Sequence, residues 1–241
     1  MPRFYLTTPL ASQTSLDLPD NIVRHIHVLR LNAGDEITLF NGDGKEYLAQ
    51  ISEVGKRHAS CHITHDMAAQ RESLLNIQLV QAISSGERMD FTLQKSVELG
   101  VSRIQPIISE RCVVRLLGER ADKRVQRWQD IVIAACEQSG RNFVPEVLPI
   151  MSLKDYLAQM PRDELHLLMS LNRATTLRDI SPAPQKLHLM IGPEGGWTAA
   201  EEQSAFDAGF QAITLGQRVL RTETASLAAI AAMQTLWGDF V

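Results

Sequence analysis

The sequence predicts an α/β protein in two parts. A small β-rich domain covers residues 1–70, and a strand–helix domain on a mostly parallel sheet covers residues 74–241. Three observations lead there. Apolar and polar residues alternate on both sides of Asn41-Gly42-Asp43-Gly44, the pattern of a hairpin with turn residues that tolerate positive φ. From Leu74 onward, short apolar runs take turns with helix-period segments, the signature of parallel strands covered on both faces. Hydrophobic residues make up 44% and charged residues 22%, so the chain can bury a core and is not a disordered tail.

In the first part, Asp20–Leu31 is expected to be an amphipathic helix. Ile22, Ile26 and Leu29 share its inner face, Asp20 caps its start and Ala33-Gly34 ends it. The runs EITLF and KEYLAQI flank the turn, HASCHITH is a further strand, and residues 67–73 read as a linker. In the second part, LNIQLVQAI is a buried strand, followed by a helix over 87–99 stopped at Gly100. VSRIQPII is a strand, and a long helix covers 119–139 before Gly140. A short helix over 152–160 has Ser152 and Asp155 in capping-box spacing. ELHLLMSL and KLHLMI are strands, 198–208 is a helix with Thr198 and Glu201 in the same spacing, QAITLG is a strand, and 225–237 is the last helix.

Several classes drop out on composition and motif. No apolar run reaches the roughly 18 residues of a membrane span, and the N-terminus lacks the pattern of a signal peptide. Cys61, Cys112 and Cys136 form no Cys-x-x-Cys pair, which argues against a zinc ribbon or disulfide frame and for a reducing, cytoplasmic setting. Cys61, His62 and His65 do not make a metal site, because neighbours in a strand point to opposite faces. No metal and no membrane partner is expected. The P-loop, dinucleotide, α/β-hydrolase and zincin motifs are absent. A net charge of −4 disfavours a general polyanion binder, so any nucleic-acid contact rests on local basic patches.

Two loops carry chemistry. Ile191-Gly192-Pro193-Glu194-Gly195-Gly196-Trp197 follows one buried strand, where α/β folds bind ligands and where glycines let backbone approach closely. Leu215-Gly216-Gln217-Arg218-Val219-Leu220-Arg221-Thr222-Glu223-Thr224-Ala225 follows another, with Thr222 or Thr224 placed to cap the next helix and Glu223 suited to its N-terminal dipole. Either loop alone is as consistent with a structural turn. Two such loops after strands of one sheet favour a shared pocket. Between residues 103 and 127, Arg103, Arg111, Arg115, Arg120, Lys123, Arg124 and Arg127 face only Glu110, Glu119 and Asp122, which makes a candidate phosphate-binding face.

The pair IGPEGGW and LGQRVLRTETA resembles the signature of the SPOUT methyltransferases. With QKSVELGVSRIQPIISERCVVR, RWQDIVIAACEQSGRNFVPEV, the opening PRFYL and the hairpin NGDGKEYLAQI, the likeness to the ribosomal RNA small subunit methyltransferase E family spans nearly the whole chain. The resemblance implies a PUA-like β-barrel followed by an α/β domain with a trefoil knot. It further implies an S-adenosylmethionine donor, a homodimer, and N3-methylation of one uridine of 16S ribosomal RNA in the assembled 30S subunit. Another RNA site (tRNA or a ribose 2′-OH) and a catalytically silent RNA-binding assembly factor remain the alternatives.

On that likeness, Arg221, Glu223 and Glu194 are the catalytic candidates, with Arg221 beside the developing uracil anion and either glutamate as proton acceptor. The cofactor is assigned to Leu171, to Ile191, Gly192, Pro193, Glu194, Gly195 and Gly196, and to Leu215, Gly216, Arg218, Leu220, Thr222, Thr224 and Ala225. RNA contacts are assigned to Arg3, Arg24, Arg30, Arg111, Arg115, Arg120 and Arg124.

Overall fold

A computed structural model describes residues 1–114 and 116–240. The chain divides into two compact units. The first holds Met1–Glu72 together with Cys136–Val144, and the second holds Ser73–Ala135 and the chain from Pro145 on. The return of Cys136–Val144 to the first unit has no counterpart in the sequence reading.

The first unit contains β1 (Arg3–Tyr5), β2 (Ser15–Asp17), α1 (Asp20–Leu29), β3 (Glu36–Phe40), β4 (Lys45–Val54) and β5 (Ala59–Ala68). Its sheet runs β1-β3-β4-β5-β2, with β1 parallel to β3 and the other pairs antiparallel. The predicted hairpin forms, with Leu39 opposite Tyr47. Its inward residues, including Ile37, Leu39, Ala49, Ile51, Cys61 and Ile63, pack on Ile22, Val23 and Ile26 of α1. Three details of the expected helix change. Pro19 rather than Asp20 is the N-cap, the helix stops when Arg30 turns left-handed, and Leu29 is exposed while Val23 takes the inner position. Strands β1 and β2, three residues each, are too short to show a period of their own.

The expected linker is partly structural. Arg71 joins Arg3 on the Glu46 carboxylate, and Glu72 pairs with Arg141. Burial pushes the Glu46 carboxyl up, but hydrogen bonds from Arg3 and Arg71 outweigh it and hold the group below the usual carboxylate range.

The second unit contains β6 (Asn76–Ala82), α2 (Gly86–Glu98), β7 (Arg103–Ile108), α3 (Glu119–Ser139, whose last residues belong to the first unit), β8 (Glu146–Val147), β9 (Met151–Ser152), α4 (Leu153–Gln159), β10 (Leu165–Met169), β11 (Lys186–Ile191), α5 (Ala199–Asp207), β12 (Gln211–Ile213) and α6 (Thr222–Trp237). One 3-10 turn, Leu177–Asp179, lies between β10 and β11. The sheet runs β12-β10-β11-β6-β7-β8, with β9 also on β7, and every pairing in it is parallel. The central strands β6 and β11 are almost wholly buried, which is why their sequences read as continuous apolar runs rather than alternating ones.

The caps expected at Ser152 and Thr198 both form. The Ser152 hydroxyl accepts from the Asp155 amide at 3.0 Å, and Thr198 and Glu201 make a reciprocal box. Helix α6 differs: it starts at Thr222, one turn earlier than expected, with Arg221 at the N-cap and no side-chain cap from Thr222 or Thr224. Among the described residues, no helix is long and apolar enough to cross a membrane.

Candidate functional site

Parallel strands end at one edge of a sheet, so the loops leaving their carboxyl ends converge there. Strands β10, β11 and β12 are direct or next neighbours. Their outgoing loops, 170–172, 192–197 and 214–221, together with the first turn of α6 and Arg88 of α2, enclose a cavity of about 670 Å³. That volume suits a nucleoside-sized ligand.

A buried polar network fixes the two long loops against each other. The Thr222 hydroxyl donates to the Gly192 carbonyl at 2.7 Å and accepts from the Gln81 side-chain amide at 3.0 Å. Ser226 donates to Gln81 Oε1 at 2.7 Å. Gln81 and Ser226 are fully buried, so each bond holds in a dry environment where an unmade one is costly. The third loop is tied by Glu202, which accepts from the Ser170 hydroxyl at 2.6 Å and the Asn172 amide at 2.7 Å. From outside the cavity, Arg111 donates to the carbonyls of Gly195 and Trp197 at 3.0 and 3.1 Å.

Two glycines are required by this arrangement. A Cβ on Gly192 would stand 3.1 Å from the Trp197 ring, and Gly196 turns the chain at φ +67°.

Charges around the cavity balance, with Arg88, Arg218 and Arg221 against Glu194, Glu202 and Glu223. Their placement decides what each can do. Glu194 is committed: its Oε1 accepts from the Ser85 amide and hydroxyl, both at 2.8 Å, and from Arg88 at 3.3 Å. Burial raises its carboxyl, but the bonds from Ser85 and Arg88 prevail and leave it lowered, ionised at neutral pH. Glu223 sits in the first turn of α6, partly exposed. Among the described residues, one carboxylate oxygen of Glu194, one of Glu223 and the Trp197 indole nitrogen are buried with no hydrogen-bond partner. Unmatched polar atoms on three residues that line the cavity point to a ligand with polar and charged groups.

Most of the predicted cofactor positions meet here. Leu171, Ile191 to Gly196, Leu215, Gly216, Arg218, Leu220, Thr222 and Ala225 all line the cavity, as do Arg221 and Glu223. Thr224 is exposed and is not among the lining residues. The sequence reading missed Arg88, Met169, Ser170, Asn172, Trp197, Glu202, Thr214 and Val219. Trp197 was within the quoted motif, but Arg88 lies in a helix far upstream and carried no local signal.

The arginines expected to meet RNA divide. Arg3 is a correction: its guanidinium is largely buried, holding Glu46, Asn142 Oδ1 (2.6 Å) and the Gly140 carbonyl (3.2 Å), which leaves it an internal strut. Arg111 spends one guanidinium nitrogen on the glycine loop. Arg24, Arg30 and Arg120 are exposed and Arg124 is half-buried. Arg115 lies outside the described residues. All three cysteines are buried and free, and burial pushes the Cys61 and Cys136 thiols up to about 11 and about 12. Cys61 faces the core while His62 faces outward to Ser15, so they diverge as strand neighbours should.

Comparison with known proteins agrees with the geometry. An RNA methyltransferase domain family matches residues 71–234, and an RNA methyltransferase PUA domain family matches residues 18–64. The ribosomal RNA small subunit methyltransferase E of Buchnera aphidicola (Acyrthosiphon pisum) is 32% identical over 100% of this chain and 95% of its own. That of Bacillus subtilis is 32% identical over 88% and 86%. The crystal structure of the Neisseria gonorrhoeae ribosomal RNA small subunit methyltransferase E bound to S-adenosyl methionine superposes with a TM-score of 0.95 at 59% identity, over 100% of both chains. A Legionella pneumophila structure with the cofactor SAM gives 0.95 at 39%, over 99% and 98%.

Proposed function

This chain belongs to the ribosomal RNA small subunit methyltransferase E family, and from that premise we propose that it methylates N3 of one uridine in 16S ribosomal RNA, using S-adenosylmethionine and acting on the assembled 30S subunit. The observation that carries the reading is the single cavity into which the glycine loop and the arginine–glutamate loop both open.

The residues present fit the cofactor. Leu171, Leu215, Leu220 and Ala225 offer an apolar lining for an adenine ring, and the glycine loop offers backbone groups at close range. The unpartnered oxygens of Glu194 and Glu223 suit a ligand carrying positive charge. Thr224 drops from the cofactor set. When bound, S-adenosylmethionine supplies an electrophilic methyl group on a sulfonium.

The chain's own work is to hold the base and manage its proton. Uracil N3–H is a weak acid flanked by two carbonyls, so its conjugate base places negative charge on O2 and O4. The exposed guanidinium of Arg221, at the cavity, stabilises that charge as it develops. Glu223 takes the N3 proton, directly or through one water. Glu194 is the weaker candidate for this step, because its hydrogen-bonded oxygen is committed to Ser85 and Arg88.

The same reading takes residues 1–70 as a PUA-like RNA-binding barrel and residues 74–241 as a SPOUT methyltransferase domain with a trefoil knot, working as a cytoplasmic homodimer. Arg24, Arg30, Arg111, Arg120 and Arg124 supply phosphate contacts, which fix register without reading sequence. The base must be accessible or extruded before N3 can react.

The test is labelled methyl transfer to purified 30S subunits followed by nucleoside analysis. Label in 3-methyluridine is expected. Label in a 2′-O-methyl nucleoside or only in tRNA would move the activity to another site. Cofactor binding with no transfer to any RNA would leave an assembly factor.

A further inference from the structure

One cavity residue has no place in the cofactor contacts or the proton step. Arg88 is the third residue of α2, lines the cavity and keeps 44% of its side chain exposed. Its position is electrostatically unfavourable for the helix itself: the first turn carries a partial positive charge, so a cation there opposes the dipole. The carboxylate of Glu194, which draws in the Ser85 amide and hydroxyl, also reaches Arg88 Nη1 at 3.3 Å. That contact is long for a charged pair, and it uses one of five guanidinium donors.

The cofactor's sulfonium repels a guanidinium, and its carboxylate is the one competing anion. Calorimetry separates the two, because a carboxylate partner would cost cofactor affinity when Arg88 is removed. What a half-exposed guanidinium at the rim of a methyl-transfer cavity does match is an anion brought by the substrate. In RNA that anion is a backbone phosphodiester, whose oxygens fit the planar fork bidentately.

We propose that Arg88 is a substrate-binding residue that grips an rRNA phosphate close to the target nucleotide, and that Glu194 is its positioning residue. Glu194 holds the start of α2 through Ser85 and aims the guanidinium from one side, leaving the remaining donors for the phosphate. This assignment rests on the reading of the chain as an rRNA methyltransferase.

The experiment uses the full-length protein, purified 30S subunits and S-adenosylmethionine. Arg88→Ala should raise KM for 30S subunits by about tenfold or more, the worth of one charged hydrogen-bonded contact. The slope of log(kcat/KM) against log salt should become shallower by about 0.7–0.9, the loss of one phosphate contact. Cofactor affinity by calorimetry should stay within about twofold of the wild type, well below the cost of a lost charged contact. Arg88→Lys should keep the salt slope and recover part of KM. Glu194→Gln should raise KM for 30S subunits in the wild-type background and add little in the Arg88→Ala background, because the two act as one unit. An Arg88→Ala enzyme with wild-type KM and salt slope would overturn the assignment alone. So would a loss of cofactor affinity as large as the loss for 30S subunits, which would place Arg88 on the cofactor's carboxylate or in support of the fold. A wild-type enzyme that transfers no methyl to 30S subunits would overturn the functional reading, and this assignment with it.

Discussion

The joint between the two long loops can be tested at one atom. Thr222→Val keeps the side-chain shape and removes the hydroxyl that donates to the Gly192 carbonyl and accepts from Gln81. Thr222 is only 6% exposed and Gln81 is fully buried, so little water is available to replace either partner. Two neutral hydrogen bonds are worth about 1 kcal/mol each, and a buried group left unpaired adds about 1–2 kcal/mol, for a total of about 3–4 kcal/mol. For a chain of this size that lowers the melting temperature by about 6–16 °C, at roughly 2–4 °C per kcal/mol. Differential scanning calorimetry measures the shift. The local consequence is a weaker grip on S-adenosylmethionine, because the Gly192 loop loses its tie to α6, and isothermal titration reads that loss. Thr222→Ser is the control. It retains the hydroxyl, loses about 0.8 kcal/mol for one buried methyl group, and should bind cofactor as the wild type does. A Thr222→Val protein that melts with the wild type and binds cofactor equally well would refute the claim that this hydroxyl joins the two loops.

Three other outcomes follow from the same geometry. Arg221→Ala and Glu223→Gln should each lower kcat for methyl transfer by about 10²-fold or more while changing cofactor affinity far less, as expected for groups acting on the developing charge and the proton; equal losses in both quantities would move either residue to a binding role. Gly192→Ala should weaken cofactor binding, measured by titration calorimetry, because its new methyl meets the Trp197 ring at 3.1 Å and one of the two must shift. Stability should fall as pH drops from 7.5 toward 5.5. Burial lowers the pKa of His166 and His188 below 6.5, overriding the hydrogen bonds they donate to the Pro161 carbonyl and the Glu164 carboxylate, which favour the charged forms. The unfolded chain therefore binds protons first. Stability is full above about pH 6.5 and declines below it, until the pH passes the lower folded values, by up to roughly 1.4 kcal/mol per pH unit for each histidine. A melting temperature that stays flat over that range would contradict the buried neutral pair, and His166→Phe should make the decline shallower.

The second unit was legible because its signals are local and strong. Buried parallel strands give continuous apolar runs, and Ser152 and Thr198 announce two helices by capping chemistry that the structure bears out. What escaped has physical causes. Strands of two or three residues, such as β1, β2, β8 and β9, contain too few positions to display a period. The start of α6 was placed a turn late because Thr222 looks like a cap in sequence. In the fold its hydroxyl serves Gly192, a residue thirty positions away. The cavity was legible as two motifs, since glycine-bearing loops after parallel strands must lie at one sheet edge. Gln81 and Arg88 were not. Each reaches the site by a side chain from an element more than a hundred residues upstream, and no sequence period encodes that.

Residues of one type in this chain are separated by their surroundings. Arg3 and Arg24 are both arginines of the first unit. Arg3 is enclosed by Glu46, Asn142 and a carbonyl, so drawing it to a phosphate would break an ion pair and two further hydrogen bonds and leave the Glu46 carboxylate to Arg71 alone. Arg24 lies on the exposed side of α1 and can bind a phosphate without breaking an ion pair among the described residues. The same contrast orders the glutamates of the cavity. Protonating Glu194 would weaken three hydrogen bonds at once and loosen the start of α2, so accepting a proton there carries a structural cost at every turnover. Among the described residues Glu223 holds no such set of donors, and taking up a proton there breaks none of the hydrogen bonds that tie the loops. The acid–base role therefore falls to the carboxylate whose protonation breaks nothing, and that ordering follows from the hydrogen bonds of this fold whatever motif the two residues occupy.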